Sequence, residues 1–249
     1  MGNRIYIFGA GWLGLDVAYD FHSKGNEVCV FSRSEIKIES LRSRGIEAHK
    51  ATFFNGKVSF AAAIVKGSTL LFCLPPSVPY YCETLLDIVA TMQPSHIVFC
   101  SSIGIYASKE GWVDENCVTD TDSVLHKAEE KITGMNIPFA ILRLGGLIGA
   151  DRNPATYFSN KFDIPNGMAP VNLIHKMDVM SCIEGVIALK STGIFNVVYP
   201  SHPSRKEYYE QKCLDLGLLP CSFQNLGVGK VVKGDEIMRV ISDAYKHPI

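Results

Sequence analysis

Gly9, Gly11 and Gly14, within GAGWLG, follow an apolar run Ile5-Tyr6-Ile7-Phe8 and precede a helical apolar pattern of Leu15, Val17, Ala18 and Phe21. A glycine triplet so spaced between a strand and a helix can hold the pyrophosphate of a dinucleotide. Gly9 permits a tight turn, Gly11 lets the backbone approach the phosphates, and Gly14 lets the helix pack close to the strand. With Ala10, Trp12 and Leu13 they present the free N–H groups and positive dipole end of the helix. The second apolar run ends in Ser32, Arg33 and Ser34. An acidic residue at this place serves the ribose 2′-OH of NAD, whereas an arginine suits a 2′-phosphate. A guanidinium flanked by hydroxyls receives phosphate well. NADP is therefore the preferred cofactor and NAD the alternative, in which Arg33 stacks on adenine or stays solvated.

Strand-like runs at 4–8, 27–32, 46–48, 69–74, 96–100, 138–144 and 194–198 alternate with helical patterns at 12–24, 34–44, 57–65, 79–92, 121–134 and 176–190. The alternation predicts an α/β chain with a doubly wound parallel sheet covered on both faces. LLFCLPP (70–76) and IVFCSS (97–102) are continuous apolar runs that stop at proline or serine, as central parallel strands do at a ligand face. Leu74, Pro75 and Pro76 are expected to form an apolar wall beside the cofactor, with Ser101 and Ser102 at the next strand end. Segment 149–172 is rich in Pro, Asn and Gly, and 199–249 holds a helix near 204–216. These two segments are assigned to a small C-terminal substrate lobe. Segments 1–148 and 173–198 are assigned to the dinucleotide-binding domain.

At 249 residues, 47% hydrophobic and 20% charged, the chain can bury a full core. A net charge of −1 gives no electrostatic reason to expect nucleic acid or an anionic membrane. No stretch reads as a leader or membrane span. The eight cysteines show no zinc-ligand spacing and several fall in strand runs, so a cytoplasmic protein without disulfides or metal is expected.

Five further stretches are similar to the extended short-chain dehydrogenase/reductases, the NAD(P)-dependent epimerase/dehydratase group. FCSSIGIYAS (99–108) is similar to its "SSxxVYG" signature, WVDE (112–115) to the acidic segment after it, and ILRLGGLIG (141–149) to "LRxxxxYG". NLIHKMDVM (172–180) is similar to "xIHVxDv", and GIFNVV (193–198) to a late strand. The resemblance implies a Rossmann-type fold, a small-molecule substrate and, in many members, a homodimer. It also implies a Tyr-x-x-x-Lys pair as the proton-transfer machinery, with a strand-end hydroxyl, here Ser102. The opening departs from the family's T-G-x-x-G-x-x-G, and the helix TDTDSVLHKAEEKI (119–132) contains no tyrosine. If Lys127 is the motif lysine, Ser123 stands at the tyrosine place. If Glu129 is matched to the family's later glutamate, the pair becomes Thr121 and Leu125. This pattern resembles the atypical subgroup of the superfamily.

Ser102, Tyr106 and Lys127 are the catalytic candidates. A hydroxyl at a strand end has local backbone partners as its alternative. Tyr106 needs a cationic neighbour to donate a proton near neutral pH. Lys127 and His126 are expected at the solvated margin of a helix packed through Leu125, Ala128 and Ile132. Asp114 and Glu115 read as loop-capping acids before they read as a base. Arg143, His175 and Asp178 match architectural positions of the family, with an anion-binding role open to Arg143. Tyr157, Tyr208 and Tyr209 either line the lobe's pocket or pack in it. The functional expectation is an NADP-dependent oxidoreductase or epimerase acting on a small polar metabolite. The alternative is a catalytically inactive, cofactor-binding or redox-sensing regulatory protein.

Overall fold

In the computed structural model, which describes residues 4–149 and 151–249, the apolar runs become the strands of one sheet. Residues 1–3 and 150, at the edges of the expected domain segments, lie outside the described residues. The first elements are β1 (Ile5–Phe8), α1 (Trp12–Ser23), β2 (Val28–Ser32), α2 (Glu35–Arg42), β3 (Glu47–Phe54), β4 (Lys57–Phe60), β5 (Thr69–Phe72), α3 (Tyr81–Met92) and β6 (His96–Ser102). There follow β7 (Gly111–Val113), α4 (Val124–Thr133), β8 (Phe139–Leu144), β9 (Gly146–Ile148), α5 (Ala155–Phe158), β10 (Leu173–His175), α6 (Lys176–Ala188), β11 (Gly193–Val197), α7 (Arg205–Asp215), β12 (Lys230–Val232) and α8 (Asp235–Val240). The eight-stranded sheet runs β11-β8-β6-β5-β1-β2-β3-β4. β1 pairs in parallel with β2 and β5, β2 with β3, and β5 with β6, whereas β4 is antiparallel to β3. All seven expected strands are present, and the fold is the expected α/β, Rossmann-type arrangement.

Two compact units divide the chain. One holds the residues up to Ser101 with Thr121–Leu142 and Ile183–Ile194; the other holds Ser102–Asp120, Arg143–Cys182 and Phe195–Ile249. The expected boundaries differ in placing 143–148, 173–182, 195–198 and the longest such stretch, 102–120, in the dinucleotide-binding segments. That stretch is bound instead to residues of the second unit, β7 pairing with β12 and Glu115 accepting from the Asn196 N–H at 2.7 Å.

In the first unit β1, β2, β5 and β6 are buried on both faces, and the rings of Phe8, Phe31 and Phe60 pack with centroids 4.4–6.0 Å apart. In the second, Tyr208, Tyr209, Cys213 and Phe223 form a separate core with Phe158. Its helix α7 starts on a reciprocal cap: Ser204 Oγ accepts from the Glu207 N–H, and the Glu207 carboxylate accepts from the Ser204 N–H. No helix among the described residues is long and apolar enough to cross a membrane.

The helix expected over 57–65 is absent. Residues 57–60 are β4, and burial alternates strictly to residue 65, with Val58, Phe60, Ala62 and Ile64 on the packed side. The cause is Asn55-Gly56. Both residues have positive φ (47° and 75°), and Phe54 pairs with Lys57, giving a two-residue hairpin loop. The hairpin extends β3 to Phe54, well beyond the expected 46–48. A Cβ on Gly56 would lie 2.6 Å from Glu83 Cβ. Gly56→Ala is expected to cost about 1–3 kcal/mol through left-handed strain and crowding. A urea titration checks this, and an unchanged midpoint would refute the turn assignment.

Candidate dinucleotide site

The strand order reverses around β1: β2 and β3 lie on one side of it, β5 and β6 on the other. Ligands of open α/β sheets bind outside the carboxyl ends of strands at such a switch point. There the loops after β1, β2 and β5 enclose a crevice of about 220 Å³. Gly9, Ala10 and Gly11 line it from the first loop, Ser32, Arg33 and Ser34 from the second, and Leu74 and Pro75 from the third.

The three glycines meet different constraints. Gly9 has φ +108°, and a Cβ there would lie 2.5 Å from the Cys73 carbonyl oxygen. A Cβ on Gly14 would lie 2.0 Å from the Gly9 carbonyl oxygen. Both are required by the packing of the protein itself. Gly11, which precedes the first turn of α1, has φ −77°, and a Cβ there would meet nothing within 4 Å.

Five of the expected cofactor residues lie elsewhere. Trp12, Leu13 and Gly14 form the first turn of α1 and do not line the crevice; Leu13 is buried. Pro76 lines a different groove of about 550 Å³ with Tyr80, Cys82 and Lys127. Ser101 is buried and donates to the Glu129 carboxylate of α4 at 2.5 Å, because alternate residues of β6 face opposite ways. Four contributors went unnoticed in the sequence, among them Phe31 of β2. Phe53 comes from the unexpected hairpin, and Cys73 ends the β5 run. Lys37 lies one helical turn after Arg33, and its ammonium donates to the Ala10 carbonyl at 2.6 Å. The expected helix over 34–44 made Lys37 findable; the contribution of Phe53 depended on Asn55-Gly56.

Around the crevice the charge is positive. Arg33 is exposed, and the acid nearest it in sequence, Glu35, pairs with Lys50 at 2.6 Å. The Cys73 and Cys100 sulfurs approach to 3.8 Å, and the Cys100 thiol together with burial holds the Cys73 thiol well above its ordinary pKa. Cys29, Glu47 and His49 also bring ligand-type atoms together. Arg4 ion-pairs with Glu47, however, and burial pushes the Cys29 thiol up to about 12, so the cluster disfavours a cation.

The catalytic candidates are placed differently from one another. Ser102 ends β6, is half-buried, and its Oγ accepts from the Gly104 N–H at 3.1 Å. Lys127 is exposed on α4, and His126 approaches Glu130 at 3.4 Å. Tyr106 departs from the proton-donor expectation. It is fully buried; its hydroxyl donates to Asn196 Oδ1 at 2.6 Å and accepts from Arg143 at 3.1 Å. Burial raises its pKa above the ordinary phenol value despite the guanidinium. Its oxygen is committed to holding Asn196 and Arg143 rather than to a substrate.

Arg143 is itself buried and donates to the Glu115 carbonyl at 3.2 Å, which makes it architectural. Burial raises the Glu115 carboxyl while the Asn196 N–H lowers it, and Asp114 accepts from the Asn116 N–H at 3.0 Å. The acids thus cap loops. Asp178, fully buried, accepts from the Lys246 and His247 N–H groups and from His247 Nδ1, fixing the C-terminal segment; His175 stacks on His247. Tyr208 and Tyr209 pack in the core, while Tyr157 is exposed beneath Lys161. Tyr106→Phe is expected to cost about 1–3 kcal/mol, because Asn196 and Arg143 each lose a buried partner. Equilibrium denaturation tests it; no loss would mean the network relaxes without the hydroxyl.

No family model matches the chain. Protein YeeZ of Escherichia coli K12 is 30% identical over 267 aligned positions, covering 98% of this chain and 96% of that protein. Among solved structures, MoeE5 in complex with UDP-glucose and NAD superposes with TM-score 0.74 at 14% identity, covering 99% of this chain and 94% of that one. A Methylobacillus flagellatus protein, provisionally assigned as an NAD-dependent epimerase/dehydratase, gives TM-score 0.76 at 20% identity, covering 99% and 93%. At 14–20% identity these likenesses show the fold, which the chain shares with proteins described as epimerases or dehydratases.

Proposed function

The chain belongs to the family of Protein YeeZ, and from the crevice at its glycine turn we propose that it binds NADP as an oxidoreductase or epimerase of a small polar metabolite. Gly11 carries the proposal. Its backbone conformation is open to any residue and no protein atom occupies the space a Cβ would take. Packing therefore gives no reason for glycine, whereas a pyrophosphate pressed against the backbone does. Arg33 and Lys37 support the preference for NADP over NAD. Two cations stand at the rim, and Glu35 is already held by Lys50.

Bound there, the nicotinamide would supply hydride chemistry. The chain's own contribution on the substrate side is Ser102. Its oxygen already accepts a backbone N–H, which leaves its hydrogen to donate to a substrate oxygen. A second reading, a cofactor-binding or redox-sensing regulator without turnover, is favoured by α4, which carries no tyrosine. NADPH oxidation across nucleotide sugars, ketones and enones separates the two. Turnover lost in Ser102→Ala supports the enzyme; tight binding with no turnover supports the regulator.

Fluorescence titration with NADPH and NADH tests the cofactor site. Gly11→Val is expected to abolish binding of both while leaving the melting temperature unchanged. Arg33→Ala is expected to weaken NADPH roughly tenfold or more, the loss of a charge-assisted contact of about 1.5–3 kcal/mol, with little change for NADH. An NADH preference that survives Arg33→Ala overturns the NADP assignment, and a protein that binds neither dinucleotide overturns the whole reading.

A further inference from the structure

The second unit holds a lysine whose charge nothing nearby balances. Lys230 opens β12, opposite Gly111 of β7. Its ammonium is half-buried; it donates to the Ile103 carbonyl at 3.0 Å and to the Tyr106 carbonyl at 3.4 Å, and lies 5.6 Å from the Tyr106 ring centroid. No ion pair found among the described residues includes it. The charged group that acts on it is another cation, Lys109, which together with burial holds its pKa below the ordinary lysine value.

A cation drawn partly out of water is normally paired. Here two of the three ammonium donors go to neutral carbonyls and one remains. Those carbonyls belong to the short turn that Ser102 opens, Ile103–Ile105 with Tyr106 closing it. The backbone pins this turn: the Asp120 N–H donates to the Ile105 carbonyl at 2.7 Å, and the Ala107 N–H to the Val118 carbonyl at 3.1 Å. Ser102 Oγ, also half-buried, keeps its hydrogen after accepting from Gly104. One rigid turn therefore carries a hydroxyl donor and an unbalanced ammonium. A residue needed only to tie β12 to the turn would not have to carry a charge.

We propose that Lys230 and Ser102 form a receptor for an oxyanion of the substrate, a carboxylate or phosphate group. The assignment gives the proposed activity an anionic substrate class and rests on that activity only in calling the anion a substrate. The missing Tyr-x-x-x-Lys pair gives it further interest, since a lysine from the C-terminal segment then stands on the Ser102 turn.

The test is trace acetylation of the full chain with acetic anhydride, read lysine by lysine by mass spectrometry. It is run with inorganic phosphate, with sodium formate, and with chloride at the same ionic strength. Lys230 is expected to be protected several-fold by phosphate, by formate or by both, while exposed Lys24 and Lys57 react as in chloride. The arm that protects identifies the oxyanion, and Ser102→Ala is expected to weaken the protection. Equal Lys230 rates in all three salts overturn the proposal and leave the residue as a structural tie. NADPH titration of the same preparation is read separately. Protection of Lys230 in a protein that binds no dinucleotide keeps the receptor and removes the cofactor reading. Dinucleotide binding without protection does the reverse.

Discussion

The close approach of α1 to the carboxyl ends of β1 and β5 is the constraint on which the rest of the first unit depends. It exists because two side chains are missing. With any Cβ at Gly14 the helix would collide with the Gly9 carbonyl, and with one at Gly9 the turn would collide with Cys73. These contacts fix where the helix N-terminus points, and so where its first N–H groups and positive dipole end are presented. The crevice follows: β2 brings Ser32–Ser34 to its rim, α2 brings Lys37, and the loop after β5 closes it with Leu74 and Pro75. Lys37 also ties α2 to the glycine turn through the Ala10 carbonyl, so the rim and that turn are one mechanical piece.

The second unit is organised around a buried polar network rather than a close backbone approach. Tyr106, Arg143, Asn196 and Glu115, the last through both its carbonyl and its carboxylate, satisfy one another where an unpaired group would cost more than a hydrogen bond returns. Asn196 also donates to the Lys233 carbonyl at 2.8 Å, and Asn172 bonds both the Lys230 carbonyl and the Val232 N–H. The β7–β12 ribbon and the Ser102 turn thereby share one rigid base. Residues that the sequence motifs offered as proton carriers serve here to hold that base.

Much of the fold was readable because parallel strands buried on both faces leave unbroken apolar runs, and because Gly9, Gly11 and Gly14 sit between such a run and a helix. What could not be read has local causes. KVSFAAAIV (57–65) suits a helix by composition, and only Asn55-Gly56 before it forces a hairpin, which in turn delivers Phe53 to the crevice. Ser101 and Ser102 are neighbours in sequence, but the pleat sends one to Glu129 and leaves the other at the strand end. Tyr106 looked reactive from its motif; its burial and its two partners are long-range facts that no local pattern carries. Lys230 lies far from every motif in the chain and reaches the Ser102 turn only through the β7–β12 pairing.

The hairpin has another effect, on how the molecule meets its neighbours. β4 ends the sheet's order, and such a terminal strand ordinarily offers its backbone to any extended chain that drifts by. Here Asp87 of α3 accepts the Val58 N–H at 2.8 Å and pairs with Lys57 at 2.8 Å. One carboxylate occupies the outward donor at the middle of a four-residue strand and anchors a charge beside it. Strand addition at this point of the edge is therefore disfavoured.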